Sequence, residues 1–115
     1  MKRLLAAFIL VIPISPVMTQ DAFLTGAQIR AKLIGRTISG TEDGVRYSEK
    51  LLANGTIKGH SATEPAYDGE WEISGNEICF YYDDDDDDDC SRIVMKGNTV
   101  NFIDDDGSQS KATVK

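Results

Sequence analysis

From Arg36 onward the chain is punctuated by turn-forming residues at intervals of about ten: Asp43-Gly44, Asn54-Gly55, the Thr63 to Pro65 loop, Gly75-Asn76, an aspartate tract, Gly97-Asn98 and Asp106-Gly107. Asn-Gly and Asp-Gly supply the positive φ that tight hairpin turns require, so the runs between them must pair with their sequence neighbours. The runs predict strands over Thr37–Ser39, Val45–Leu52, Thr56–Ser61, Tyr67–Ile73, Glu77–Tyr82, Ser91–Lys96, Thr99–Asp104 and Gln109–Val114. Eight sequential antiparallel strands leave two exposed edges unless the first meets the last. The expected fold is therefore all-β: an eight-stranded antiparallel meander barrel with a short N-terminal helix and one disulfide.

Residue alternation gives the strands their faces. Tyr67, Gly69, Trp71 and Ile73 share one side, as do Ile78, Phe80 and Tyr82, and Val100 with Phe102; Glu70, Glu72 and Asn101 point the other way. Trp71 is expected at the barrel floor. Asn54-Gly55-Thr56 has the form of a glycosylation sequon, but Asn-Gly between two strands reads first as a turn.

One segment carries a helical pattern. Thr25 with Gln28 matches a capping box, Ile29 and Leu33 lie one turn apart, and Gly35 suits the left-handed residue that ends a helix. Two to three turns do not persist in isolation, so this helix is expected to plug one end of the barrel. Ahead of it, Met1-Lys2-Arg3 and the apolar run Leu4 to Val17, broken by Pro13 and Pro16, read as a secretory signal peptide over residues 1–20, leaving 21–115 as a single domain. The expected location is periplasmic or secreted, with no membrane contact after cleavage. In an oxidising compartment Cys79 and Cys90 are expected to form a disulfide, worth roughly 3 kcal/mol for a loop of this length.

The formal charge is −7, and the seven consecutive aspartates Asp83 to Asp89 account for all of it. With no basic cluster after residue 3, the chain offers nothing to nucleic acid. Seven adjacent carboxylates must stay solvated. Their sharper use is weak calcium binding through Asp83, Asp85, Asp87 and Asp89, without EF-hand spacing and in the range of about 10⁻⁴ to 10⁻³ M. No other cofactor is expected. The aromatic residues Tyr47, Tyr67, Trp71, Phe80, Tyr82 and Phe102 either form the core or line a ligand cavity. His60, the only histidine, is not accompanied by a nucleophile motif, and no phosphate-binding glycine loop is present, so no enzymatic activity is expected.

The succession of Leu24-Thr25, Gly35-Arg36-Thr37, Asp43-Gly44-Val45-Arg46-Tyr47-Ser48-Glu49, Asn54-Gly55-Thr56-Ile57-Lys58-Gly59, Gly69-Glu70-Trp71-Glu72-Ile73, Ile78-Cys79-Phe80-Tyr81, Cys90 and Gly97-Asn98-Thr99-Val100 resembles an uncharacterised family of small exported alphaproteobacterial proteins. The resemblance implies a streptavidin-like or lipocalin-like small barrel and brings no catalytic residues; the unbroken aspartate run departs from it. Two functions stay open: a monomeric binding module for a small ligand or for cations at the acidic loop, and an interaction module that inhibits a basic partner such as a cationic hydrolase.

Overall fold

A computed structural model describes residues 22–83 and 89–115. Helix α1 (Gly26–Leu33) is followed by β1 (Thr37–Glu42), β2 (Val45–Leu51), β3 (Thr56–Ser61), β4 (Tyr67–Ser74), β5 (Glu77–Tyr82), β6 (Asp89–Lys96), β7 (Thr99–Asp104) and β8 (Gln109–Val114). Each strand pairs antiparallel with the next, and β1 pairs with β8, so the sheet is a closed barrel in sequence order. The expected fold class is thus the observed one. The leader expectation, residues 1–20, lies outside the described residues.

Turn chemistry accounts for the pairing. Asp43 and Gly44 both take positive φ, 49° and 80°, the conformation of the tight two-residue hairpin that joins β1 to β2. The seam between β1 and β8 is short, with Ile38, Ser39 and Gly40 opposite Val114, Thr113 and Ala112. Reciprocal backbone hydrogen bonds between Thr37 and Lys115, at 3.1 and 2.9 Å, extend it by one step.

Three strands are longer than the sequence suggests, β4 by the single residue Ser74 and two others by more. β1 runs on through Gly40, Thr41 and Glu42, because Gly40 lies opposite Tyr47 and leaves space for its ring. β6 begins at Asp89, carried by the Phe80–Asp89 and Cys79–Cys90 pairings. The disulfide joins Cys79 and Cys90 directly across this ladder.

The helix closes one end. Its capping box is complete: Thr25 Oγ1 accepts from the Gln28 amide and Gln28 Oε1 accepts from the Thr25 amide. Ile29 and Leu33 are wholly buried in the same cluster as Ile38, Leu51, Ile57, Ile78, Ile93 and Val100. Each such side chain contributes about 1.5–3 kcal/mol of burial. Gly26 packs against the backbone of Gly75, and its amide donates to Asn76 Oδ1 at 3.0 Å, locking the helix onto the β4–β5 turn. Trp71 lies beneath, its indole N–H donating to the Leu52 carbonyl at 2.7 Å and Arg30 stacked 5.5 Å over its ring. This is the barrel floor. The opposite end, where the β1–β2, β3–β4, β5–β6 and β7–β8 connections emerge, carries no helix among the described residues.

Candidate functional site

The strand register distributes the six aromatic residues between two levels. Trp71, Phe80 and Phe102 belong to the core, with Phe80 and Phe102 edge to face at 5.8 Å. Tyr47, Tyr67 and Tyr82 are only half-buried and stand toward the open end. Each of these tyrosines lies opposite a glycine on the adjacent strand: Tyr47 opposite Gly40, Tyr67 opposite Gly59, Tyr82 opposite Gly69. The pairing has a steric cause. A β-carbon on any of the three glycines would stand within 3.0 Å of the facing ring, so the missing side chain is the seat on which the ring lies.

Two of the three phenols meet at a carboxylate. Glu49 follows Tyr47 by two residues on β2, so both point into the barrel, and Glu49 is 8% exposed. Tyr67 Oη and Tyr82 Oη both donate to its Oε1, each at 2.8 Å. The Tyr67 and Tyr82 rings meet edge to face, 6.1 Å apart and inclined at 66°. Among the described residues Oε2 accepts no hydrogen bond, and no Lys, Arg or His forms an ion pair with Glu49.

The phenols feel this environment. Burial pushes the Tyr47 hydroxyl up to about 12, with Glu49 and then Glu42 adding to the effect. Burial, reinforced by the hydrogen bond to Glu49 and its charge, carries Tyr67 well above the ordinary phenol range. Tyr82 moves the same way through burial and the charge of Glu49. All three therefore remain neutral hydroxyl groups at any physiological pH.

Around this centre the barrel end is acidic. Glu42 and Asp43 stand at the β1–β2 turn, Glu64 in the β3–β4 loop, Asp83 and Asp89 at the two sides of the β5–β6 connection, and Asp104 to Asp106 at the β7–β8 turn. Among the described residues none of these connections holds a Lys or Arg, whereas Arg30, Lys32, Arg36, Lys96 and Lys115 lie at the helix end. The mouth connections are acidic and these five basic residues lie at the other end, although Arg46 stands beside the β1–β2 turn and Glu77 beside the β4–β5 turn. At the rim Asp104 Oδ1 accepts from the buried hydroxyl of Ser91, and Oδ2 accepts from Ser108 at 3.1 Å.

Of the four aspartates expected to bind calcium, Asp83 and Asp89 flank the β5–β6 connection, while Asp85 and Asp87 lie outside the described residues. No group of three or more His, Cys, Asp or Glu side chains among the described residues is arranged to hold a metal. His60 is on the outer wall, where β1, β2 and β3 form an open groove of about 600 Å³ with Ser39, Arg46 and Ser48.

Glu49 is the residue that sequence reading did not single out. The signal was present as parity, since Tyr47, Glu49 and Leu51 share the inward face of a predicted strand, and a carboxylate on that face is an anomaly. Seeing its partners required the register that brings β4 and β5 beside β2 and β3. Comparison with known proteins adds nothing to this geometry: no family model, no curated protein and no solved structure matches the chain.

Proposed function

We propose that this chain is an exported, non-enzymatic binding module whose working end is the acidic mouth of the barrel and whose ligand is cationic. The observation that carries the reading is a carboxylate, Glu49, buried beneath that mouth without a counter-ion among the described residues. Two phenolic hydrogen bonds satisfy one of its oxygens, and the other is not among the buried atoms left without a partner, so it is open to a donor arriving from the mouth. A cation entering from the mouth completes the pairing. The rim carboxylates and the opposite charge of the helix end favour cations approaching from this direction.

The test is a calorimetric titration with the trication spermidine and, as an opposite-charge control, citrate. Spermidine is expected to bind, citrate not, and spermidine affinity to fall steeply as salt is raised to about 0.3 M, where the screening length is well under 10 Å. Replacing rim carboxylates (Glu42→Gln, Glu64→Gln, Asp106→Asn) weakens spermidine binding. Equal response to both ions, or none to spermidine, refutes the reading.

The inhibitor function, in which a basic protein seats on the same mouth, draws on the same charge distribution. No separate observation favours it, and the small-cation reading is preferred because Glu49 lies below the rim.

A further inference from the structure

Building on the acidic-mouth reading, we infer that the Glu49 site takes a primary aliphatic ammonium group, held by Glu49 Oε2 and flanked by the rings of Tyr67 and Tyr82. Three features select that chemistry. The first is the unused oxygen: Oε1 is occupied by two hydroxyl donors, and Oε2 accepts from nothing among the described residues. An N–H donor bearing positive charge satisfies both the hydrogen bond and the charge at once.

The second feature excludes a bare metal. Calcium takes six to eight oxygen ligands. Here the two phenols direct their hydrogens at Glu49, and no second or third carboxylate joins it to form a metal-binding group among the described residues. One free carboxylate oxygen matches a single ammonium better than a divalent ion.

The third is the aromatic enclosure. The two rings meet edge to face, inclined at 66° with centroids 6.1 Å apart, beside the carboxylate they both bond, so the methylenes next to a bound ammonium would meet an aromatic wall. Their orientation is fixed on both sides, by the shared hydrogen bond to Glu49 and by the glycines Gly59 and Gly69 against which they lie. Ring placement of this kind lowers the ordering cost of binding. A quaternary ammonium would use the rings but has no N–H for Oε2.

The experiment is a titration of the full chain with n-butylammonium chloride, followed by tyrosine side-chain NMR shifts, with tetramethylammonium and calcium chlorides at matched ionic strength. Butylammonium is expected to bind one to one, to shift Tyr67 and Tyr82, and to bind more tightly than tetramethylammonium. Glu49→Gln, which keeps an acceptor for both phenols while removing the charge, is expected to weaken it about ten- to a hundredfold. Tyr67→Phe, which leaves the Tyr82 hydrogen bond in place, is expected to weaken it less, and near-ultraviolet circular dichroism checks that both variants stay folded.

The inference is overturned if tetramethylammonium binds as well as butylammonium, if calcium displaces butylammonium stoichiometrically, or if a folded Glu49→Gln protein binds it unchanged. Spermidine binding with a silent butylammonium titration overturns this inference while leaving the acidic-mouth reading intact; silence to both removes the two together. Nα-acetyl-lysine methylamide in place of butylammonium separates the sources of the group, since binding of both admits a lysine side chain and binding of butylammonium alone assigns a free amine.

Discussion

Adding a single methyl group at Gly59 tests whether the tyrosine seats are real. A β-carbon there would stand 2.5 Å from Tyr67 Cε2 and 2.8 Å from its hydroxyl oxygen. Ordinary carbon contacts begin near about 3.5 Å, so in Gly59→Ala the ring must retreat by about 1 Å. Its 2.8 Å hydrogen bond to Glu49 then stretches beyond hydrogen-bonding range. Overpacking costs about 1–3 kcal/mol. Loss of a hydrogen bond to a charged acceptor adds about 1.5–3 kcal/mol. Against this, alanine restricts the unfolded chain and returns about 0.4–1 kcal/mol. The net expectation is a loss of about 2–4 kcal/mol. With a urea m-value of about 1–1.5 kcal/mol/M for a chain of this size, the unfolding midpoint falls by about 2–3 M.

A double-mutant cycle makes the prediction specific. In a Tyr67→Ala background the ring is gone, and Gly59→Ala is expected to be within about 0.5 kcal/mol of neutral, so nearly the whole effect appears as coupling energy. Two results refute the reasoning: a wild-type background in which Gly59→Ala stabilises the protein, or an equal loss in both backgrounds. The second would place the cost in the strand backbone, not in the ring.

Further outcomes follow from other parts of the barrel. Replacing Cys79 and Cys90 by Ser removes the covalent clamp across β5 and β6, and is expected to lower stability by roughly 3 kcal/mol in denaturant unfolding, with no further change on adding reductant. With Tyr47, Tyr67 and Tyr82 all raised, only a minor share of the four tyrosines should ionise in the folded protein at about pH 11, read as tyrosinate absorbance. Because these phenols hold their protons more tightly folded than unfolded, their stabilisation is complete below about pH 10 and lost as pH rises through the value of about 12 for Tyr47, so the thermal midpoint should fall across that window. Calorimetry with calcium tests the aspartate tract: millimolar calcium is expected to give heat that disappears when Asp83 to Asp89 become Asn, and no heat at that concentration removes the tract as a cation site.

The barrel was legible because its information is local. Asp43-Gly44 fixes a hairpin by the φ its two residues adopt, and alternation along Tyr67–Ile73 tells inside from outside without reference to any other strand. The N-terminal helix was legible for the same reason, since Thr25 and Gln28 bond to each other. The extension of β1 through Gly40 was not, because the reason for it lies across the ladder in the ring of Tyr47. The Glu49 site has the same non-local character. Tyr67 and Tyr82 reach it from 18 and 33 residues away, and each depends on a glycine whose value lies in what it leaves vacant. The aromatic set was visible in composition, but its division into three core rings and three phenols at the mouth depends on heights along the barrel axis, which only the register between strands defines.

The seam between β1 and β8 has a kinetic meaning. Its partners lie at opposite ends of the domain, with Ile38 against Val114, so the ring is completed by the pair of strands most distant in sequence. The hairpins from β1 to β7 can form progressively as the chain emerges, but until β8 arrives β1 and β7 both present unpaired backbone, the arrangement most prone to intermolecular strand addition. Closure by such a distant pair also slows folding. A chain shortened before Gln109 would therefore fail as a ribbon with two adhesive edges, not as a slightly smaller barrel, and residues remote from Glu49 would decide whether the sheet closes on itself or pairs with other copies.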